Sequence, residues 1–454
     1  MIRECDNYSP LKHSFCAFYF YLCPQKSSYP PIMSERNHLI PLNETALRTL
    51  CQEAYECLTQ NILPFWLNNM RDTKRGGWYG QMTGRSKRIE DAPRGVILYA
   101  RLLWTFSAAY RVLGGKDLLD TATMTKDYIL AHFMDMQYGG TYWSVTADGQ
   151  PLDTKKQFYA QGFMLYGFSE YVRATGDEDA LRVALQLFEI IENHAWDSNY
   201  GGYIEACKRD WQPITDMRLS AKDENCPKSQ NTHLHIIEPY TNLLRTVREV
   251  GIIRDNSSLS TLHSSLEKLI KLFCSHILNP KTHHLDLFFD MDWTRMSTTE
   301  SYGHDIECSW LLHEAALVLG EANILNKVEP IICEVARVSE KGLQADGSMI
   351  YEGEPDDSHS DRDRHWWVQA EAVVGFFNLY QHFGDEAALT KALNCWQYIK
   401  GHLIDNEHGE WYWSIRDDGS INLDDDHAGF WKCPYHNGRM CLELIERINS
   451  MLEP

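Results

Sequence analysis

The chain has 454 residues, with 43 Lys and Arg against 63 Asp and Glu, for a formal net charge of −20 at pH 7. Such acidity excludes a reader of nucleic acid as the default, because phosphate recognition needs a cationic surface. A composition of 44% hydrophobic and 23% charged residues excludes a disordered or collagen-like chain.

Length alone fits two or three domains or one large closed barrel. The unusual feature is 14 Trp and 23 Tyr; aromatic faces stack on the apolar faces of sugar rings, and they equally fill cores. Thirteen cysteines, an odd number without a CxxC or Cys/His pattern, read as reduced thiols rather than a disulfide framework or a zinc site.

At the N-terminus, Phe15 to Cys23 is a nine-residue apolar run behind Arg3 and Lys12 that resembles a short signal-peptide core. Pro24, Gln25, Lys26 and then Tyr29-Pro30-Pro31 stand where a small-x-small cleavage site belongs. Met33 opens MSERNHLIPLNE, which reads like a protein start ahead of a helix. Residues 1–41 are therefore expected to be an extension, disordered or upstream of the natural start, before a single folded unit at 42–454; a leader is the alternative. No apolar run approaches the roughly 18 residues of a membrane span, so a cytoplasmic protein is expected.

Five aromatic turns recur along the rest: Gly76-Gly77-Trp78-Tyr79, Gly139-Gly140-Thr141-Tyr142-Trp143, Gly201-Gly202-Tyr203, Gly347-Ser348-Met349-Ile350-Tyr351 and Gly409-Glu410-Trp411-Tyr412-Trp413. Their first glycines lie 63, 62, 146 and 62 residues apart, and a degenerate copy at His283 to Phe289 divides the long gap, making six units. Between the turns the apolar spacing is helical: Val96, Leu98, Tyr99, Leu102, Leu103, Phe106 and Tyr110; Tyr159, Phe163 and Tyr166; and Trp366 to Tyr380. Each unit is predicted to be two helices and a hairpin-bearing loop. Units of this length, with aromatics in the loops, favour six helical hairpins closed into an (α/α)6 barrel over an open solenoid, with function in the cavity ringed by the inner helix ends.

Three stretches carry candidate chemistry. Asn231, His235, Glu238 and Asn242 fall at i, i+4, i+7 and i+11, either a cavity-facing or a solvated helix face; His233, one position off, reads as structural. His304 and Glu307, at i and i+3, are either a base with the carboxylate that fixes its tautomer or a surface pair. His436 follows a proline-rigidified turn, Trp431-Lys432-Cys433-Pro434-Tyr435. Arg101 with Trp104, and Trp366-Trp367 followed by Glu371, add a cation and stacking surfaces. Neither HDIE nor HEAAL is HExxH, and no GxGxxG or phosphate loop occurs, so no metal or nicotinamide is expected.

RGVILYARLLWTFSAAYR, KKQFYAQGF, NTHLHIIEPYTNLLR, SYGHDIECSWLLHEA, HWWVQAEAVVGFFNLYQ and WKCPYHNGRMCLEL together resemble the N-acylglucosamine 2-epimerase superfamily, most closely its cellobiose 2-epimerase branch, over residues 45 to 452. The resemblance implies an (α/α)6 barrel with no cofactor. It implies that His304 and His436 are the acid/base pair, that Glu307 orients His304, and that Arg101, Tyr159, Asn231 and His235 contact the reacting sugar. It gives Trp367 and Trp431 as the tryptophans that hold the substrate, with Trp366 the alternative to Trp367. The implied reaction is epimerisation at C2 of the reducing-end glucose of a β-1,4-linked disaccharide through an enediol. The expected partner is that small sugar, with neither nucleic acid nor membrane, and the expected state is a monomer or weak homo-oligomer. The alternatives are a monosaccharide epimerase or isomerase of the same superfamily, a glycoside hydrolase, which would need two flanking carboxylates, and a non-catalytic sugar-binding protein.

Overall fold

The computed structural model describes residues 40–220, 223–251, 256–356 and 358–453. The expected N-terminal extension lies outside the described residues, apart from the start of the first helix, which begins at Ile40. Twelve long helices follow among the described residues: α1 (Ile40–Glu56, continued to Met70 through π and α turns), α2 (Val96–Leu113), α3 (Lys116–His132), α4 (Phe158–Thr175), α5 (Glu178–His194), α6 (Gln230–Val250), α7 (Asn256–Leu272), α8 (Tyr302–Leu319), α9 (Ala322–Ser339), α10 (Trp366–Phe383), α11 (Glu386–Tyr398) and α12 (His436–Leu452).

The even-numbered helices form the inner ring. Each packs on the next, α2 on α4, α4 on α6 and so on to α12, which packs back on α2. Each odd-numbered helix backs one inner helix, and α1 backs α12, so the two ends of the fold meet. This is an (α/α)6 barrel. The burial pattern follows the position. In α5 the buried residues are Ala180, Leu181, Ala184, Leu187, Phe188 and Ile191, the single stripe of an outer helix. In α2 every residue from Val96 to Ala109 is buried, as an inner helix wrapped on all sides requires. That helix is also long and apolar enough to cross a membrane, which the sequence reading overlooked; most of it lies inside the ring.

Inner helices pass to outer ones through short corners, two of them capped by aspartates: Asp177 accepts from the N–H groups of Asp179 and Ala180, and Asp385 from those of Ala387 and Ala388. The returns from outer to inner helices are long, and they gather the aromatic turns at the N-terminal ends of the inner helices. There the two residues before an inner helix pair antiparallel with the hairpin of the next unit: Arg94–Gly95 with Ser144–Val145, Lys156–Gln157 with Ala206–Cys207, Lys228–Ser229 with Phe288–Phe289, Glu300–Ser301 with Glu352–Gly353, and Arg364–His365 with Ser414–Ile415. A bridge between Met82 and Ala428 closes the circle.

The turns share one electrostatic device that their spacing does not reveal. The basic residue two positions before the inner helix reaches a buried acid in its own turn: Arg94 to Asp72 at 2.8 Å, Lys156 to Asp135 at 3.0 Å and Lys228 to Asp197 at 2.7 Å. Unit four departs from this: Glu300 takes the basic position, His284 of its own turn lies 3.6 Å from it, and Lys341 of the next turn pairs with it at 2.8 Å. The same unit is the degenerate copy. His283 holds φ +63 where the other copies place a glycine with φ from +74 to +88. A left-handed backbone tolerates glycine best and disfavours most other side chains.

At the opposite end, polar bonds link every neighbouring pair of inner helices. Arg111 joins Glu170 at 2.7 Å and Glu446 at 2.9 Å; Arg173 joins Glu249 at 2.7 Å; Arg245 joins Glu314 at 2.6 Å; Asn378 joins His313 and Arg447, each at 3.1 Å. Asn242, read from sequence as part of a cavity face, belongs here: its amide donates to Ser169 and Glu170 at 3.1 Å. Eleven residues of helix separate it from Asn231, about 16 Å along the axis, so a shared face does not mean a shared site.

Lys228→Ala would strand the buried Asp197 carboxylate without its cation. Breaking such a pair costs about 3–5 kcal/mol, whereas Arg48→Ala, which removes an exposed pair with Glu44, costs at most about 0.5 kcal/mol. Urea unfolding of the two variants checks the contrast; a Lys228→Ala loss below about 1 kcal/mol contradicts it.

Candidate active site

The sequence-predicted site residues fall in the first two turns of inner helices, except Trp431, which lies in the loop before α12. Arg101 is the sixth residue of α2, Tyr159 the second of α4, Asn231 and His235 the second and sixth of α6, His304 the third of α8, Trp367 the second of α10 and His436 the first of α12. Helix N-termini carry partial positive charge, so the ring of inner helices presents that end to whatever anion forms between them.

His436 is 5% exposed. Its Nδ1 lies 2.7 Å from Glu371 Oε1, so the imidazole donates there and keeps its Nε2 for other use. Burial, then the nearby guanidiniums of Arg101 and Arg439, drive its pKa well below the ordinary 6.5. Glu371 also accepts from the Trp310 indole N–H at 2.9 Å.

His304 is half-buried and differs in its support. Its Nδ1 lies 2.8 Å from the Ser301 hydroxyl. Burial, reinforced by His235, pulls its pKa down to about 3. The expected Glu307 partner does not reach it: Glu307 Oε1 instead accepts from Arg439 at 2.8 Å and stands 3.8 Å from His436 Nδ1. A guanidinium arriving from α12 offers the carboxylate a charge-assisted bond that a neutral imidazole cannot match. Burial and the adjoining carboxylate of Glu371 push Glu307 well above the usual carboxylate range.

The Trp367 indole lies beside both imidazoles, its centroid 4.9 Å from the His304 ring and 5.7 Å from that of His436. This distinguishes the neighbouring tryptophans. Trp367 is half-buried beside both histidines, while Trp366 is 4% exposed and packs on Trp413 at 4.7 Å. Gly303 permits the arrangement, since a Cβ there would meet the Trp367 ring at 2.7 Å.

On the other side, Arg101 donates to the Tyr159 hydroxyl at 2.9 Å and to the Trp431 carbonyl at 3.3 Å, and its guanidinium lies 4.3 Å over Phe163. Among the described residues it forms no ion pair with a carboxylate. His235 packs edge-on to Tyr159 at 4.9 Å and bonds Glu238 Oε2 through Nδ1 at 3.0 Å. Asn231 Oδ1 has no hydrogen-bond partner among the described residues. Trp431 lies 6.0 Å from Tyr159. His233 is structural: its Nε2 accepts from the Tyr203 N–H at 2.9 Å.

Sequence reading gave no role to Arg439, Glu371 or Ser301. All three stand inside the quoted motifs or beside them, but their partners lie on other helices or across a helix start. Glu307, Glu371 and His436 approach one another closely enough to suggest a cation site. The Arg439 guanidinium, 2.8 and 2.6 Å from the two carboxylates, is the cation that this place already holds.

Both imidazoles are therefore neutral at neutral pH. Since each binds its proton more weakly in the folded chain, folding stability falls as pH drops below about 6.5. In a ¹⁵N NMR titration His304 and His436 should stay neutral at pH 6 and His304 should titrate near about 3; a ring protonating at or above 6.5 contradicts this.

A sequence profile described as N-acylglucosamine 2-epimerase (GlcNAc 2-epimerase) matches residues 77–438. The chain is 52% identical over 396 residues to a cellobiose 2-epimerase of Bacteroides fragilis, an alignment covering 87% of this chain and 98% of the relative. The solved cellobiose 2-epimerase of Spirochaeta thermophila superposes with a TM-score of 0.83 at 37% identity, covering 90% of this chain and 99% of that one. That of Bacillus thermoamylovorans superposes with a TM-score of 0.82 at 38% identity, covering 88% and 100%. The chain belongs to the N-acylglucosamine 2-epimerase family.

Proposed function

We propose that this chain, a carbohydrate epimerase, inverts C2 of the reducing-end glucose of cellobiose to give glucosylmannose. The observation that carries the reading is the pair of imidazoles that both pack against Trp367, each with Nδ1 engaged and Nε2 without a hydrogen-bond partner among the described residues.

The chemistry needs little beyond that pair. Once the hemiacetal opens, the C1 aldehyde makes the C2 proton acidic. One neutral imidazole takes that proton through Nε2; the C2–H electron pair becomes the C1–C2 double bond and the carbonyl pair moves onto O1. The other imidazole, carrying a proton drawn from solvent, delivers it to C2 on the opposite face: the C1–C2 pair takes that proton, the O1 pair re-forms the carbonyl, and the first imidazole releases the abstracted proton to solvent. Arg101, whose guanidinium forms no ion pair with a carboxylate among the described residues, and the helix N-termini stabilise the charge on O1, a contribution of several kcal/mol where water is sparse. Asn231, with its open Oδ1, and His235 serve the sugar hydroxyls, and Trp367 and Trp431 supply apolar faces.

A hydrolase would need two independent carboxylates. Here Glu238, Glu307 and Glu371 all bond Arg439, which favours proton relay by histidine. The ten described cysteines are free thiols, in keeping with a cytoplasmic enzyme, monomeric or weakly associated.

Incubation with cellobiose in deuterated water should give glucosylmannose carrying deuterium at C2. His304→Ala and His436→Ala should each lower kcat by about 10²- to 10⁴-fold without a matching loss of stability. Because both rings titrate low, the acid limb of the rate profile should lie below pH 6.5. Release of free glucose, or product formed with complete hydrogen retention and no dependence on either histidine, overturns the reading.

A further inference from the structure

Arg439 is 1% exposed in the first turn of α12, yet it gathers three acids from three other inner helices. Its Nη2 donates to Glu307 at 2.8 Å and Glu371 at 2.6 Å; its Nη1 donates to Glu238 and, at 2.5 Å, to the Tyr435 hydroxyl. The guanidinium plane is fixed between rings, 4.7 Å from Trp310 and 4.4 Å from Tyr435. Two of the acids are the supports of site imidazoles. Glu371 Oε1 takes the His436 Nδ1–H and Glu238 Oε2 takes that of His235.

Charge explains why the hub matters. A buried carboxylate without a cation draws a proton onto the nearest base. For Glu371 that base is His436, and an imidazolium with both nitrogens protonated cannot abstract hydrogen from carbon. The other groups facing His436 do not replace Arg439. Arg101 of α2 and His235 of α6 repel a proton on it, and Glu238 attracts one; Glu307 of α8 stands 3.8 Å away. From the α1 side the titratable group is Cys57, which bonds Cys441 farther along α12.

We infer that Arg439 is a positioning residue for the two-histidine reaction: by compensating Glu371, Glu307 and Glu238 it leaves His436 a neutral imidazole, its Nδ1–H held by Glu371 and its Nε2 open to the sugar. The role rests on the proposed epimerisation but concerns the ring's protonation, which can be read without turnover. Arg is suited to it where Lys is not, because only the planar fork reaches two carboxylates through Nη2 while Nη1 serves the third.

The test compares Arg439→Gln, Arg439→Lys and Arg439→Gln/Glu371→Gln with the parent chain, by kcat and KM for cellobiose against pH and by ¹⁵N titration of His436. Arg439→Gln should move the His436 titration and the acid limb upward by about one to three pH units, with loss mainly in kcat. Arg439→Lys should keep the limb near its parental position with partial activity, and removing the Glu371 charge from the double variant should bring the limb back down. Glu371→Gln alone, which keeps Arg439, should lower the His436 titration, a readout that survives even where Arg439→Gln fails to fold. An Arg439→Gln protein that is folded and slow but keeps the parental titration overturns the inference, as does a His436 titration unmoved in Glu371→Gln. A parent chain inactive on cellobiose instead defeats the proposed reaction and leaves the NMR result to stand by itself.

Discussion

Closure of the ring by α12 is the constraint on which the rest of the molecule depends. Five inner helices have sequence neighbours on the way round, but α12 must insert between α10 and α2 and be backed by α1 from the other end of the fold. Its first turn brings His436 and Arg439 together. Every carboxylate that Arg439 binds comes from a helix made earlier in the chain, so the site has its charges compensated only once the last helix has docked. Folding and site assembly are in that sense one event.

The barrel has two ends of different character. At the C-terminal ends of the inner helices, ion pairs and amide bonds run from each helix to the next and leave few polar groups open. At the N-terminal ends, long aromatic loops leave Asn231, His304, Trp367 and Trp431 half-buried. Buried ion pairs of this kind contribute little net stability over apolar packing. Their value here lies in geometry, because a guanidinium between two carboxylates fixes the angular relation of the helices that carry them.

The two imidazoles are unequal partners. His436 leans on a carboxylate and a guanidinium, while His304 leans on a hydroxyl and an indole face. Both are held neutral first by loss of water, His436 with help from the guanidiniums of Arg101 and Arg439 and His304 with help from His235. A relay between opposite faces of one carbon needs both groups neutral enough to act as bases, and the two rings are supported there by different neighbours.

Sequence by itself determined the architecture and named candidates for the site. Six turns at a near-constant period and helical spacing between them define six helical hairpins, because both signals are local and repeat. His304, His436, Asn231 and His235 could be named as candidates from local spacing and turns, and the resemblance added the sugar-contact roles of Arg101 and Tyr159. What only the tertiary structure decided is who bonds whom. Glu307 sits one turn from His304, yet its bond goes to Arg439 on α12. Asn242 shares a helical face with His235 but serves the opposite end of the barrel. Trp366 and Trp367 are adjacent in sequence, and one is core while the other lies beside both histidines. Helical periodicity says which residues lie on one side of one helix. Which neighbour captures a charged side chain depends on the competing groups that other helices bring within reach, and those are set when the ring closes.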